Sequence, residues 1–214
     1  RPAQAQPKRS LVVAAIVLFF VALGGASVTW LALSGDTTIQ TVAGEQRTQS
    51  LPDGSIMAVN VASHVSYAIK ENSRVIKLSS GEAAFTVKAD PDRPFVVHVG
   101  AYEVRAIGTA FNVRQRDGAI EVSVSEGTVE ICAAGGPNAG EPLASLGAGQ
   151  LLRLPAELKG EPMALPPPVS VPPAQVSEWR MRVVTYQEAT VSDVVADFNR
   201  YFEQKLIVDQ PGLL

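Results

Sequence analysis

Residues 105–113 read RAIGTAFNV, and the alternation of their apolar positions governs what fold the chain builds. Tyr102, Val104 and Ala106 hold even positions, whereas Ile107, Thr109, Phe111 and Val113 hold odd ones. Successive strand side chains point to opposite faces, so a change of parity sends every later side chain across the sheet. An ordered core absorbs that only through a bend or bulge. Gly108 stands at the change, where the missing Cβ permits one. The stretch predicts a bend or bulge at Gly108 and an inward-facing Thr109.

Similar short runs extend in both directions. TIQTVA, IMAVNV, HVSYAI, RVIKLS, EAAFTVK, PFVVHV, YEVRAI, AFNVRQ, IEVSVSE, TVEICA and QLLRL lie between Thr37 and Leu154. Turn residues part them: Asp53-Gly54, Ser80-Gly81, Asp90-Pro91, Asp117-Gly118, Glu126-Gly127 and Gly135-Gly136-Pro137-Asn138. Strands at this spacing, with no helical period between them, predict an all-β domain over 34–154, as an antiparallel sandwich, a barrel or a solenoid. The DG and EG pairs predict tight antiparallel hairpins.

The flanks differ. No charged residue occurs between Arg9 and Asp36, and Leu11–Leu33 is predominantly apolar. Twenty-three helical residues rise about 35 Å, enough to cross a ~30 Å hydrocarbon core with some tilt. A signal peptide's apolar region is shorter. Residues 10–33 are expected to be a transmembrane helix, with 1–9 a cytoplasmic remnant. Lys8 and Arg9 before the span place the N-terminus in the cytoplasm and the rest of the chain outside it.

Residues 155–178 read as a semi-rigid linker, because PAELKGEPMALPPPVSVPP (155–173) carries seven prolines, which favour polyproline II and cannot feed a sheet. Residues 179–214 read as the start of a small α+β domain. MRVVTY (181–186) and LIVD (206–209) look like strands. Between them Val191, Val194, Val195, Phe198, Tyr201 and Phe202 form one helical stripe, opened by a capping-box pattern at Thr190 and Asp193. Such a β-α-β piece buries little core alone and needs further chain, a partner or the β domain to lean on.

The chemistry-bearing residues are sparse. His64 and His98 are isolated on separate runs, and no metal-binding spacing, P-loop, GxSxG or GxGxxG occurs. No metal or cofactor is expected, and a conventional enzyme is not. The formal net charge of −3 argues against direct nucleic-acid binding, which needs a basic face. The single cysteine, Cys132, permits no intrachain disulfide and reads as a small strand residue.

Taken in order, LPDGS (51–55), LSSGEAAF (78–85), RPFVVHV (93–99), IGTAFNV (107–113) and SEGTVE (125–130) resemble the FecR family of anti-sigma regulators. EWRMRVVTYQEATVSDVVADFNRYF (178–202) resembles the start of the short secretin/TonB-type domain that follows in that family. The resemblance implies a single-span inner-membrane protein that binds an extracytoplasmic-function sigma factor through a cytoplasmic domain. Its periplasmic part would receive a signal from the signalling domain of a TonB-dependent outer-membrane receptor, in iron or siderophore uptake. Periplasmic and intramembrane proteases would then free the sigma factor.

Trp179, Asn199, Arg200 and Tyr201 are the residues expected to contact the partner, while the apolar stripe either packs internally or meets the receptor. Some members of the family also cleave themselves at a Gly-Thr bond, which falls here on Gly108-Thr109. Read from the residues alone, this pair is equally an ordinary bulge. His98 is conceivable as a base, although nothing in the sequence selects it. A different class of function, a membrane-anchored periplasmic β domain serving envelope structure or binding glycan or lipid, also fits the pattern.

Overall fold

The computed structural model describes residues 36–116, 118–135, 139–157, 165–186 and 189–208. The expected membrane span at 10–33 and the remnant before it lie outside these residues. No described helix is long and apolar enough to cross a membrane.

The strands, in chain order, are β1 (Thr37–Gln40), β2 (Arg47–Ser50), β3 (Ile56–Val59), β4 (His64–Lys70), β5 (Ser73–Thr86), β6 (Phe95–Val99) and β7 (Tyr102–Ala106). There follow β8 (Ala110–Arg116), β9 (Ala119–Glu126), β10 (Thr128–Ala133), β11 (Pro142–Gly147), β12 (Gln150–Pro155) and the two-residue β13 (Val169–Ser170). Helix α1 spans Val191–Tyr201. The sequence reading overlaps ten of these strands. It overlooks β2, β11 and β13, whose residues are polar, proline-bearing or very few.

The strands form one open sheet curled into two leaves that share β5. The first leaf runs β1-β4-β5-β6-β7-β10-β11 and uses Ser73–Ser80 of β5 on its inner pairings. The second runs β2-β3-β5-β8-β9-β12-β13 and uses Gly81–Thr86. β5 and β6 are parallel; the other pairings are antiparallel.

At three of the places where the chain passes between leaves, a glycine sits at the corner. Gly81 turns β5 from one leaf into the other, Gly108 lies between β7 and β8, and Gly127 lies between β9 and β10. Two expectations are corrected here. Ser80-Gly81 is not a turn between strands but a corner within one long strand. Glu126-Gly127 does not close a hairpin, because β9 and β10 pair with different neighbours. A φ of +89° at Gly81 and +78° at Gly127 explains why glycine serves there. Arg116 pairs with Ala119 in the tight hairpin that the sequence predicts.

The curl encloses one core. Val65, Ile76, Leu78, Phe95, Val97, Tyr102, Val104, Val129 and Ile131 come from the first leaf. Met57, Val59, Phe85, Phe111, Val113, Ile120, Val122 and Val124 meet them from the second. Phe85 packs on Phe95 and Phe111 at centroid distances of 5.6 and 5.1 Å, close to the Gly108 corner.

Beyond Pro155 the structure departs from the sequence reading. The proline-rich stretch does not stay clear of the sheet: Val169 and Ser170 pair with Leu151 and Gln150 at its edge. Short 3-10 turns at Pro173–Gln175 and Glu178–Met181 then bury Val176 and Trp179. α1 forms with the expected capping box, but residues 183–186 and 206–208 are irregular rather than strands. Strands need a hydrogen-bonding neighbour, and among the described residues none pairs with these segments.

Candidate functional site

Two features gather the residues singled out in the sequence. The first is the corner at Ile107-Gly108-Thr109. The strand breaks there, as its parity predicts, with bends at Ile107 and Gly108 before β8 begins. The break is more than a bulge, because the chain changes leaf.

The loop Val87–Arg93 holds the corner from one side. Val87 N donates to Thr109 O (2.9 Å), and Asp90 N donates to Ile107 O (3.0 Å). A Cβ at Gly108 would lie 2.8 Å from Ala89 Cβ, so only glycine fits against that loop. Gly127 closes the other side: a Cβ there would meet Thr109 Cγ2 at 2.8 Å and Gly108 O at 3.1 Å. The Gly108–Thr109 peptide is thus held between two backbone segments.

Ile107 is half exposed, whereas Thr109 is 6% exposed. The Thr109 hydroxyl is buried with no hydrogen-bond partner among the described residues. A buried hydroxyl with no partner carries an uncompensated desolvation cost, and its lone pairs are unused. His98, the base that the sequence offered, pairs with Glu103 at the opposite end of the β6–β7 ladder from Ala106. There its Nδ1 lies 3.8 Å from Glu103 Oε1.

The second feature is a polar clasp under α1. The helix turns Asp197, Arg200 and Tyr201 toward the outer face of the second leaf, leaving Val191, Phe198 and Phe202 substantially exposed. Asp197, 2% exposed, accepts from Arg114 Nη2 (2.6 Å), Arg116 Nη1 (2.9 Å) and Tyr186 Oη (2.9 Å). Arg200 Nη1 lies 3.4 Å away. Burial opposes the Arg114 charge, but Glu82 and Asp197 outweigh it and push its pKa up. Burial and the bond to Asp197 push the Tyr186 phenol well above its ordinary range.

The four expected contact residues are all engaged within the chain. Trp179 is buried on Ala58 and Ala84, and its Nε1 donates to Asn112 Oδ1 (3.1 Å). Arg200 Nη2 donates to Val61 O (3.1 Å). Tyr201 Oη accepts from Asn60 Nδ2 (3.0 Å). Asn199 is part-buried, and its side chain bridges Leu206 N and O. Glu82 joins the group, accepting from Asn60 and Asn112.

Sequence reasoning missed Asp197 and Arg74. The second left a visible trace: Arg74 shares its parity with Ile76 and Leu78, a charge in line with core positions. Among the described residues no group of histidines, cysteines and carboxylates is placed to hold a metal.

Residues 37–130 match the family model described as FecR protein. The match runs from β1 into β10 and includes both sides of the Gly108 corner. Two crystal structures of a candidate anti-sigma factor from Parabacteroides distasonis are similar to the chain. One is 26% identical with a TM-score of 0.65, covering 78% of this chain and 76% of that one. The other is 25% identical with a TM-score of 0.66, covering 79% and 76%. No curated protein sequence matches the chain.

Proposed function

We propose that the protein is an anti-sigma regulator of the FecR type, with residues 37–208 as its sensing part outside the cytoplasm. The observation that carries this reading is the FecR match over 37–130, joined to likeness over most of the chain with the Parabacteroides structures. Its partners are an extracytoplasmic-function sigma factor on the cytoplasmic side and the signalling domain of a TonB-dependent outer-membrane receptor on the other. Regulated proteolysis by periplasmic and intramembrane proteases releases the sigma factor, in control of iron or siderophore uptake. The apolar stretch 11–33 behind Lys8 and Arg9 supports an inner-membrane, single-pass placement. The outward apolar side of α1, with Val183, Val184, Leu206 and Ile207 also exposed, supports a partner beyond the β domain.

The test is genetic and biochemical. Loss of the gene raises transcription from the sigma factor's promoter, and the region 37–208 captures the receptor signalling domain. Unchanged transcription together with no capture rejects the assignment.

The same reading includes self-cleavage between Gly108 and Thr109. Thr109 Oγ1 adds to the Gly108 carbonyl carbon, and its proton passes to the departing amide nitrogen. The C–N bond breaks as an ester C–O bond forms. One water then hydrolyses the ester, leaving a Gly108 carboxylate, the Thr109 hydroxyl and a new amino terminus. The buried, unpartnered hydroxyl beside a glycine corner supports this step. Purified protein is expected as two associated fragments that meet at 108/109, and Thr109→Ala as one. A wild-type chain that stays whole for days removes the cleavage and leaves the regulator assignment standing.

A further inference from the structure

We propose that Arg74 is a positioning residue for the Gly108–Thr109 peptide, acting through the loop Val87–Arg93; the proposal rests on the self-cleavage reading above. The Arg74 side chain is wholly buried and the Asp53 side chain nearly so, with Nη1 and Oδ2 at 3.2 Å. The remaining donors go to one loop. Nε donates to Arg93 O (2.6 Å), Nη1 to Lys88 O (2.8 Å) and Nη2 to Asp90 O (3.2 Å). The guanidinium also lies 5.8 Å from the centre of the Phe95 ring.

Asp53 is held in turn by Ser55, whose N and Oγ both donate to it, and Ser55 Oγ accepts from Lys88 N (3.0 Å). Burial works to raise the Asp53 pKa, but the Ser55 donors and Arg74 outweigh it and hold it below the ordinary value. The Asp53 carboxylate therefore faces the guanidinium as an anion.

The loop's Val87 and Asp90 amides hold the carbonyls on either side of Gly108, and Ala89 leans on Gly108 itself. One planar fork with donors in fixed directions thus sets the path of a loop whose inner edge grips the scissile peptide. A buried ion pair is poor value as a stabiliser, since apolar residues of similar size often do as well. Holding three carbonyls in one arrangement is a task that apolar residues cannot do. Attack by a neighbouring hydroxyl depends on placement to a fraction of an ångström, and this loop fixes where the Gly108 carbonyl stands relative to Thr109 Oγ1.

The test compares the full chain with Arg74→Lys, Arg74→Met and Thr109→Ala. Fragment formation is followed by intact mass over a range of pH, with and without hydroxylamine to trap the ester. Amide exchange is read at 107–110 and, as an internal reference, across β9. Both Arg74 variants are expected to cleave on the order of a hundredfold more slowly, and Arg74→Met, which leaves Asp53 buried without its cation, to melt at a lower temperature as well. The pH dependence should keep its wild-type shape, because Arg74 exchanges no proton. Hydroxylamine should not restore the rate, because the ester fails to form. Exchange should quicken at 107–110 and stay unchanged in β9.

Wild-type cleavage rates in a folded Arg74→Lys protein overturn the proposal. So does an Arg74→Lys protein that fails to fold, since the arginine is then a folding residue. If the wild type itself never cleaves, the self-cleavage reading fails separately. Unchanged exchange at 107–110 in either Arg74 variant then overturns the bracing as well.

Discussion

Gly108 is fixed by what leans on it rather than by a turn conformation. A methyl group there would sit 2.8 Å from Ala89 Cβ, so Gly108→Ala is expected to lower stability by about 1–3 kcal/mol through overpacking. Thermal melts check this, and adding Ala89→Gly should recover part of the loss; no recovery would point away from the Ala89 contact. Thr109 leads to the opposite expectation. Its hydroxyl is buried without a partner, so Thr109→Val, which keeps the shape and removes the polar atom, should gain about 1 kcal/mol. A lower melting temperature would mean that the hydroxyl has a partner after all. Both positions were readable from alternation, because parity records which face a side chain takes. Their neighbours were not. Ala89 and Gly127 reach the corner through the curl of the sheet, about 20 residues away along the chain in each direction, and no local pattern encodes such a meeting.

Helix α1 shows how a correct pattern can mislead about orientation. The apolar stripe and the Thr190–Asp193 capping box stand in the sequence, and the helix forms where they place it. Yet it meets the sheet with Asp197, Arg200 and Tyr201, because the outer face of the second leaf offers Asn60, Glu82, Asn112, Arg114 and Arg116 rather than an apolar surface. Removing the Asp197 charge takes away the buried carboxylate that Arg114, Arg116 and Arg200 share. Asp197→Asn should therefore weaken docking of α1 by about 3 kcal/mol. Amide exchange should rise across 191–201 while β9 stays protected; equal protection of α1 in both proteins would count against the clasp. Alkali is expected to act at the same place. Burial raises the phenol pKa of Tyr186 and Tyr201 in the folded state. Their contribution is therefore complete below the ordinary tyrosine value of about 10, and it fades as pH rises through the folded values. α1 should loosen in that range before the sheet does, and Tyr186→Phe should remove part of the effect. A clasp insensitive to pH up to full unfolding would refute it.

Across residues 37–208, the composition of strands was legible because each run carries its own alternation, whereas the shared use of β5 was not. Ser80-Gly81 looks like punctuation in the sequence, and only the pairing of the two halves of β5 with different neighbours reveals a single strand serving both leaves. The curl also determines what a cut at Gly108–Thr109 would leave behind. β1 to β7 lie before that bond and β8 to β13 after it, but the pieces remain laced by two ladders. Six rungs join Gly81–Thr86 to Ala110–Gln115, and five join Tyr102–Ala106 to Val129–Ala133. The severed molecule would keep its shape and yet lose its covalent path for tension. A pull on the C-terminal end, which an intact chain carries along its backbone, would fall on those eleven rungs and on the noncovalent contacts around them. The sheet would then act as a mechanical fuse, whole at rest and able to part under load.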